Sequence, residues 1–297
     1  MNLTKLGKDP RAVRALTGMT YQHFTQLVPV FMDALYILQK QKPNRQRKPG
    51  GGRSGILKTP ESKLFFILFY LKTYPTFDVL GFVTGKEHSH CCEAVHMYLA
   101  ALNKALGVVR VLPKRKITSV EELFEHFPEA KELLVDGFER RTQRSKNKKQ
   151  ADKRYSGKKK THTTKAVVVA DTKRRILVLT PARTGRRHDK NHLDKFQLLQ
   201  HIPETITLIG DTGFGGIQHQ HTNTLLPHKS TKKNPLNELQ KQWNHLVSST
   251  RVTIEHVIGS LKRYNTVAHV YRNKKPMTDD LFHLLSAGLH NYSISYR

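Results

Sequence analysis

Cysteine is nearly absent: the 297-residue chain has two, Cys91 and Cys92, and they are neighbours. A disulfide between adjacent residues is geometrically unfavourable, so a disulfide framework is excluded and a reducing compartment fits. Long apolar runs are missing too. The longest, Leu64 to Leu71, falls far short of the roughly 20 residues that a membrane-spanning helix needs. Met1 to Gly18 alternate charged and small side chains without the apolar core of a secretion signal. These absences exclude secretion and membrane insertion and leave a cytoplasmic protein. Acidic residues are the third scarcity: 23 Asp and Glu stand against 51 Lys and Arg, a formal net charge of +28. That excess is beyond what solubility requires and points to a polyanionic partner, nucleic acid first. Basic structural proteins share it, so the charge speaks of binding and not of catalysis.

What is present suffices for one large domain or two ordinary ones, with 37% hydrophobic residues to build a core. Thr20 can cap a helix whose apolar residues Phe24, Leu27, Val28, Phe31, Leu35 and Leu38 recur every three or four positions, which makes residues 1–42 an N-terminal helical region. Residues 43–60 hold Arg45, Arg47, Lys48, three glycines from Gly50 and Arg53; this composition cannot bury a core and predicts a basic linker. In 61–112, helical segments at Glu61 to Thr73, Thr76 to Val83 and Ser89 to Leu106 are parted by Tyr74-Pro75 and Gly85. This is the layout of a helix-turn-helix, with Ser89, His90 and Glu93 on the first turns of a DNA-reading helix, and equally that of a plain helical bundle. His88, His90, Cys91 and Cys92 lack a second ligand pair at zinc-finger spacing and read as packing and surface residues.

After Pro113 the pattern becomes strand-like, and 113–297 predicts an α/β domain with a mixed sheet. Leu133 to Asp136, Lys165 to Ala170, Arg175 to Leu179 and Ile206 to Ile209 are short apolar or β-branched runs bounded by turns. A helix from about Lys190 to Gln200 precedes the fourth run, and a long helix from about Leu236 to Tyr264 follows it. The first three strands then form a meander and the fourth lies parallel to the first. Asp136 and Asp211 both end such strands, so their carboxylates converge at one sheet edge, where two hard oxygen ligands suit Mg²⁺ or Mn²⁺. Taken singly, each is equally a turn-former. Glu255 adds a third acid at the rim of a stripe through Trp243, Leu246, Val247, Ile254, Val257, Ile258 and Leu261, with Arg251 and Lys262 on the same side of the helix. An acid between two cations is commonly a surface ion-pair ladder; here it also places a metal-directed carboxylate between phosphate-directed cations. Two metal ions held by carboxylates can activate a water and relieve charge on a phosphodiester. Arg140, Arg141, Lys158, Lys159 and Lys160, within the basic run that follows Asp136, supply a DNA floor, or a solvated loop. Asp189, just before the Lys190 helix, fits a helix N-cap better than a metal ligand, and Asp171 belongs to the far end of the sheet.

Several phrases in order carry a resemblance: Leu57-Lys58-Thr59-Pro60-Glu61, Val135-Asp136-Gly137, Tyr155-Ser156-Gly157 with Lys158 to Lys160 and His162-Thr163, Arg187-His188-Asp189, Gly210-Asp211-Thr212-Gly213-Phe214, and Arg251 to His256. The sequence resembles insertion-sequence transposases of the DDE class, in the branch related to Harbinger elements. The resemblance implies a helix-turn-helix followed by an RNase H-like catalytic domain, and cleavage at element ends followed by strand transfer to target DNA. It assigns two divalent ions, Mg²⁺ or Mn²⁺, to Asp136, Asp211 and Glu255, and an auxiliary place to His188 and Asp189. Double-stranded DNA bearing terminal inverted repeats is the implied partner, with homo-oligomers on DNA and a nucleoid location in a bacterial host. A tyrosine of the related signature is Ser248 here. A transposase-derived DNA-binding regulator and a simple endonuclease are the rival readings.

Overall fold

The computed structural model describes residues 9–43, 48–49, 55–273, 275 and 277–295. Residues 44–47 and 50–54 of the expected linker lie outside these. The chain divides into two compact units, one of Met1–Leu112, Arg263–His269 and Gly288–Arg297, the other of Pro113–Lys262 and Val270–Ala287. Among the described residues no helix is long and apolar enough to cross a membrane.

The first unit is helical. Its helix α1 (Pro10–Thr17) is started by Asp9, which accepts the Ala12 N–H, and is closed by Gly18 in the left-handed region at φ 84°. Helix α2 (Tyr21–Lys40) starts at Thr20, whose hydroxyl accepts the His23 N–H as the sequence predicts. Helices α3 (Pro60–Thr73), α4 (Phe77–Thr84) and α5 (His88–Val108) are the three expected segments, the first two capped by Thr59 and Thr76 and the second closed by Gly85. Leu64 to Leu68 are all buried, so α3 is enclosed around its whole circumference. Tyr98 of α5 meets Phe31 and Phe66 edge-on, with ring centroids 6.0 and 5.8 Å away.

The second unit is built on a mixed sheet. After α6 (Val120–His126) come β1 (Glu132–Arg141), α7 (Lys148–Arg154), β2 (Tyr155–Ser156), β3 (Thr161–Asp171), β4 (Ile176–Leu179), β5 (Arg183–Thr184), α8 (Asp189–Lys195), β6 (Thr207–Ile209), β7 (Thr224–Leu225) and α9 (Glu238–Leu261). The strand order is β2-β3-β1-β6-β7, with β4 and β5 also paired to β3. β1, β3 and β4 form an antiparallel meander and β6 runs parallel to β1, as the sequence predicts. Helices before a mixed sheet with its own helices give an α+β chain, consistent with an RNase H-like domain. Leu133, Val135, Val167, Val169, Leu193, Leu208 and Phe214 share the core.

Two expectations change in extent. β1 does not stop at Asp136 but runs on to Arg141, because β3 continues beside it after the parallel pairing with β6 has ended. The basic run after β1 folds into α7, capped by Asn147, and into the β2–β3 hairpin. The helix Thr278–Ser295, α10, contributes residues 278–287 to this unit.

Candidate metal centre and its basic surroundings

The last paired residues of the two parallel strands are Leu134 and Ile209. Asp136 and Asp211 stand two residues beyond them, at equivalent positions, so the strand register itself brings the acids side by side. Asp171, in contrast, pairs with Leu133 at the other end of β1. Gly137 donates its N–H to Asp136 Oδ1 at 2.8 Å. Asp211 begins a 3₁₀ turn, Thr212–Phe214, and its Oδ1 accepts the Thr212 N–H at 2.6 Å.

Between the acids lies a cation. Arg251, from the middle of α9, places Nη2 3.6 Å from Asp136 Oδ2 and Nη1 3.8 Å from Asp211 Oδ1. The sequence assigns this arginine to phosphate; here its guanidinium spans the two carboxylates. Burial pushes the Asp136 carboxyl up to about 6, against the pull of Arg251 and the Gly137 N–H, while Asp211 and Asp189 push it further up. A buried carboxylate with acidic neighbours and one shared arginine lacks counter-charge.

Behind β1 sits a second charged group. Lys165, a buried residue of β3, lies 3.0 Å from Asp189 Oδ1 and 3.3 Å from Glu139 Oε1, and donates to the Arg187 carbonyl at 3.0 Å. Glu139 also accepts from the Thr163 hydroxyl at 2.7 Å. Asp189 is the first residue of α8 and not its cap, a place taken by His188 without a side-chain bond. The expected N-cap role is therefore replaced by an ion pair, since Lys165 reaches the carboxylate first. Lys165 and Glu139 are absent from the sequence-based site. A lysine at the head of the apolar run Ala166 to Ala170 is the signal for them, because a charge in a buried strand requires partners.

The remaining expected residues separate. Glu255 lies one turn beyond Arg251 on α9, about 6 Å along the axis, and is exposed. Among the described residues no group of three or more His, Cys, Asp or Glu side chains able to hold a metal ion assembles. That includes His88, His90, Cys91 and Cys92, the first two exposed and Cys91 buried. The Asp136–Asp211 pair nonetheless suits a divalent ion: two hard oxygen donors already share one positive group between them. Arg141, Lys158, Lys159, Lys160, Lys262 and His188 are exposed, as are Ser89, His90 and Glu93 on the first turns of α5. Arg140 is not part of a DNA floor. It is 1% exposed, pairs with Asp279 at 2.6 Å and lies over the Tyr271 ring at 4.7 Å, because strand alternation turns it to the Phe138 face of β1. Leu246, expected on the buried stripe of α9, is 60% exposed. The first turns of α9 are instead tied to an extended segment, through Trp243 Nε1 to the Leu226 carbonyl and Asn244 to His228. The stripe is buried only from Val247 onward, at Ile254, Val257, Ile258 and Leu261.

Comparison with known proteins bears on this geometry. A family model described as DDE superfamily endonuclease matches residues 135–291, more than half of the chain. Over 291 residues, 97% of this chain and 96% of the relative, the sequence is 25% identical to a probable transposase for insertion sequence element IS702 from Microchaete diplosiphon. No solved structure matches significantly.

Proposed function

The chain belongs to the DDE superfamily of endonucleases, and from that membership we propose that it is a transposase that cuts DNA at the ends of its element and joins the freed ends to target DNA. The observation that carries this reading is the pairing of Asp136 and Asp211 at equivalent positions beyond two parallel strands, with Arg251 held between them. Asp136, Asp211 and Glu255 hold the divalent ions, Mg²⁺ or Mn²⁺, which when bound activate a nucleophilic oxygen and offset charge on the phosphate. Glu255, which stands apart from the aspartates in this structure, would join them from α9, one turn beyond Arg251. The exposed cations Arg141, Lys158, Lys159, Lys160 and Lys262 hold the DNA backbone through charge, which positions the strand without reading its sequence. Arg251 adds a phosphate contact when it leaves the acids. Sequence is read by α4 and α5 as a helix-turn-helix, with Ser89, His90 and Glu93 at the groove, and the protein oligomerises on paired element ends. His188 lies beside Asp189 as an auxiliary group.

The test is incubation of the protein with DNA carrying the inverted repeats that flank its own gene, with Mg²⁺ or Mn²⁺. Both nicked and joined products are expected. Asp136→Asn, Asp211→Asn and Glu255→Gln should each lower cleavage by at least ~100-fold, the scale for losing one electrostatic stabiliser of the transition state, while DNA binding persists. Nicked products without joined ones would reduce the reading to an endonuclease. Sequence-specific binding without cleavage would replace it with a regulator.

A further inference from the structure

The geometry around Asp189 is unlike that of either metal-directed acid. Its carboxylate is pressed between two backbone segments. A methyl group added at Gly137 would meet Asp189 Oδ1 at 2.5 Å, and one added at Gly213 would meet Oδ2 at 3.0 Å. Gly137 directly follows Asp136, and Gly213 stands two residues after Asp211. One carboxylate therefore touches both of the segments that carry the paired acids, and only glycine leaves room for it at Gly137. The carboxylate is itself held by Lys165, 3.0 Å from Oδ1, and Lys165 is fixed by Glu139 and the Arg187 carbonyl. The side chains of Lys165, Glu139 and Asp189 are 7%, 6% and 16% exposed, so the chain of contacts is largely enclosed and its charges are little dispersed by water.

We propose that the Lys165–Asp189 pair is a positioning strut: Asp189, pinned by Lys165, wedges between Gly137 and Gly213 and sets the separation of Asp136 and Asp211. This rests on the reading of those two acids as metal ligands. Asp189 does not itself take the ion. Its carboxylate is in close contact with an ammonium group at 3.0 Å, whereas the arginine of Asp136 and Asp211 stands 3.6 and 3.8 Å off. Groups that orient metal ligands from behind are commonly worth about 10- to 100-fold in metal affinity, and the strut is expected to fall at the lower end of that range.

The experiment measures Mn²⁺ affinity of the full chain by titration calorimetry or by the free-ion spin-resonance signal, with thermal unfolding recorded in parallel. Asp189→Asn is nearly isosteric and keeps the wedge but loses its anchor; it should weaken Mn²⁺ binding by about tenfold with the protein still folded. Lys165→Met should do the same, and the double variant should be no weaker than either single one, because both break a single link. If Lys165→Met does not fold, the Asp189→Asn result and a Gly213→Ala variant, expected to weaken Mn²⁺ binding similarly, decide the matter. Unchanged Mn²⁺ affinity in folded Asp189→Asn overturns the strut, whatever happens to its melting temperature. Tighter binding by Lys165→Met also overturns it, since that result would mark Asp189 as a ligand that Lys165 normally occupies. Wild-type protein that binds no Mn²⁺, or binds it equally well as Asp136→Asn, removes the metal reading and the strut together.

Discussion

Two acids of the second unit are both enclosed and both face an arginine, yet their ionisation is driven in opposite directions. Asp279, at the start of α10, would be raised by burial, but the charges of His283 and Arg140 and hydrogen bonds from Thr164 and Arg140 outweigh it and hold the carboxyl below its ordinary value. Its contacts are short: 2.6 Å to Arg140 Nη1 and 2.6 Å to the Thr164 hydroxyl. Asp136, four residues before Arg140 on the same strand, is pushed up to about 6. Its arginine stands 3.6 Å off and is shared with Asp211. The difference separates a charge whose partners are assembled around it from a charge left short of partners, which is the condition that the proposed metal site requires.

The comparison breaks most visibly at Arg140. Arg140→Met keeps the stem under Tyr271 but strands the Asp279 carboxylate, and should lower unfolding free energy by about 3 to 5 kcal/mol, the usual result of removing one partner of a buried pair. Denaturant unfolding measures it. A loss below about 1 kcal/mol would mean that Asp279 does not depend on Arg140 and that the contrast with Asp136 is empty.

A third enclosed group sharpens the same point with pH. His192, fully buried in α8, has its Nε2 2.9 Å from the Thr180 hydroxyl and 3.2 Å from the Pro181 carbonyl oxygen. Burial lowers it to about 4, from 6.5. In the unfolded chain it takes a proton near pH 6.5, which the folded chain refuses until about pH 4. Its contribution is therefore complete above 6.5 and is lost as the pH falls to 4, up to about 3 kcal/mol. Urea midpoints taken across that window should show wild type losing more stability than His192→Gln. Parallel curves would assign the acid loss to other groups.

Smaller again is the expected effect of Asp136→Asn on the metal-free fold. It removes an under-partnered charge, so stability should shift by less than about 1 kcal/mol while cleavage is lost. A drop comparable to that of Arg140→Met would class Asp136 with Asp279 as structural.

The sequence made the Asp136–Asp211 pairing legible because it depends on strand order and direction. A meander followed by a helix and a fourth strand leaves few topologies, and the parallel neighbour of β1 had to be β6. Side-chain destinations beyond Asp136 were less legible. Reading the strand as finished there took Arg140 out of the alternation that, through Phe138, turns it inward. Lys165, Glu139 and Asp189 meet from three separate elements, and no spacing in the chain announces such a contact. The exposed Leu246 shows the limit of periodicity: a stripe says which face of α9 is apolar, not where along the helix the sheet ends.

The smallest effect lies one residue from the largest. Arg141 follows Arg140 on β1, but alternation sends it to the opposite face and it is exposed. Truncating it to alanine should leave the melting temperature unmoved, since no charge is stranded by its loss. Its expected effect is on DNA. If Arg141 touches one phosphate, Arg141→Ala should reduce the slope of log affinity against log salt concentration by about 1, with similar weakening on every sequence. Arg140→Met, assayed where it remains folded, should keep the wild-type slope because its guanidinium faces Asp279 and not the solvent. Equal slopes for wild type and Arg141→Ala would take Arg141 off the DNA surface, and a reduced slope for Arg140→Met would put back among the DNA contacts a residue that its burial excludes.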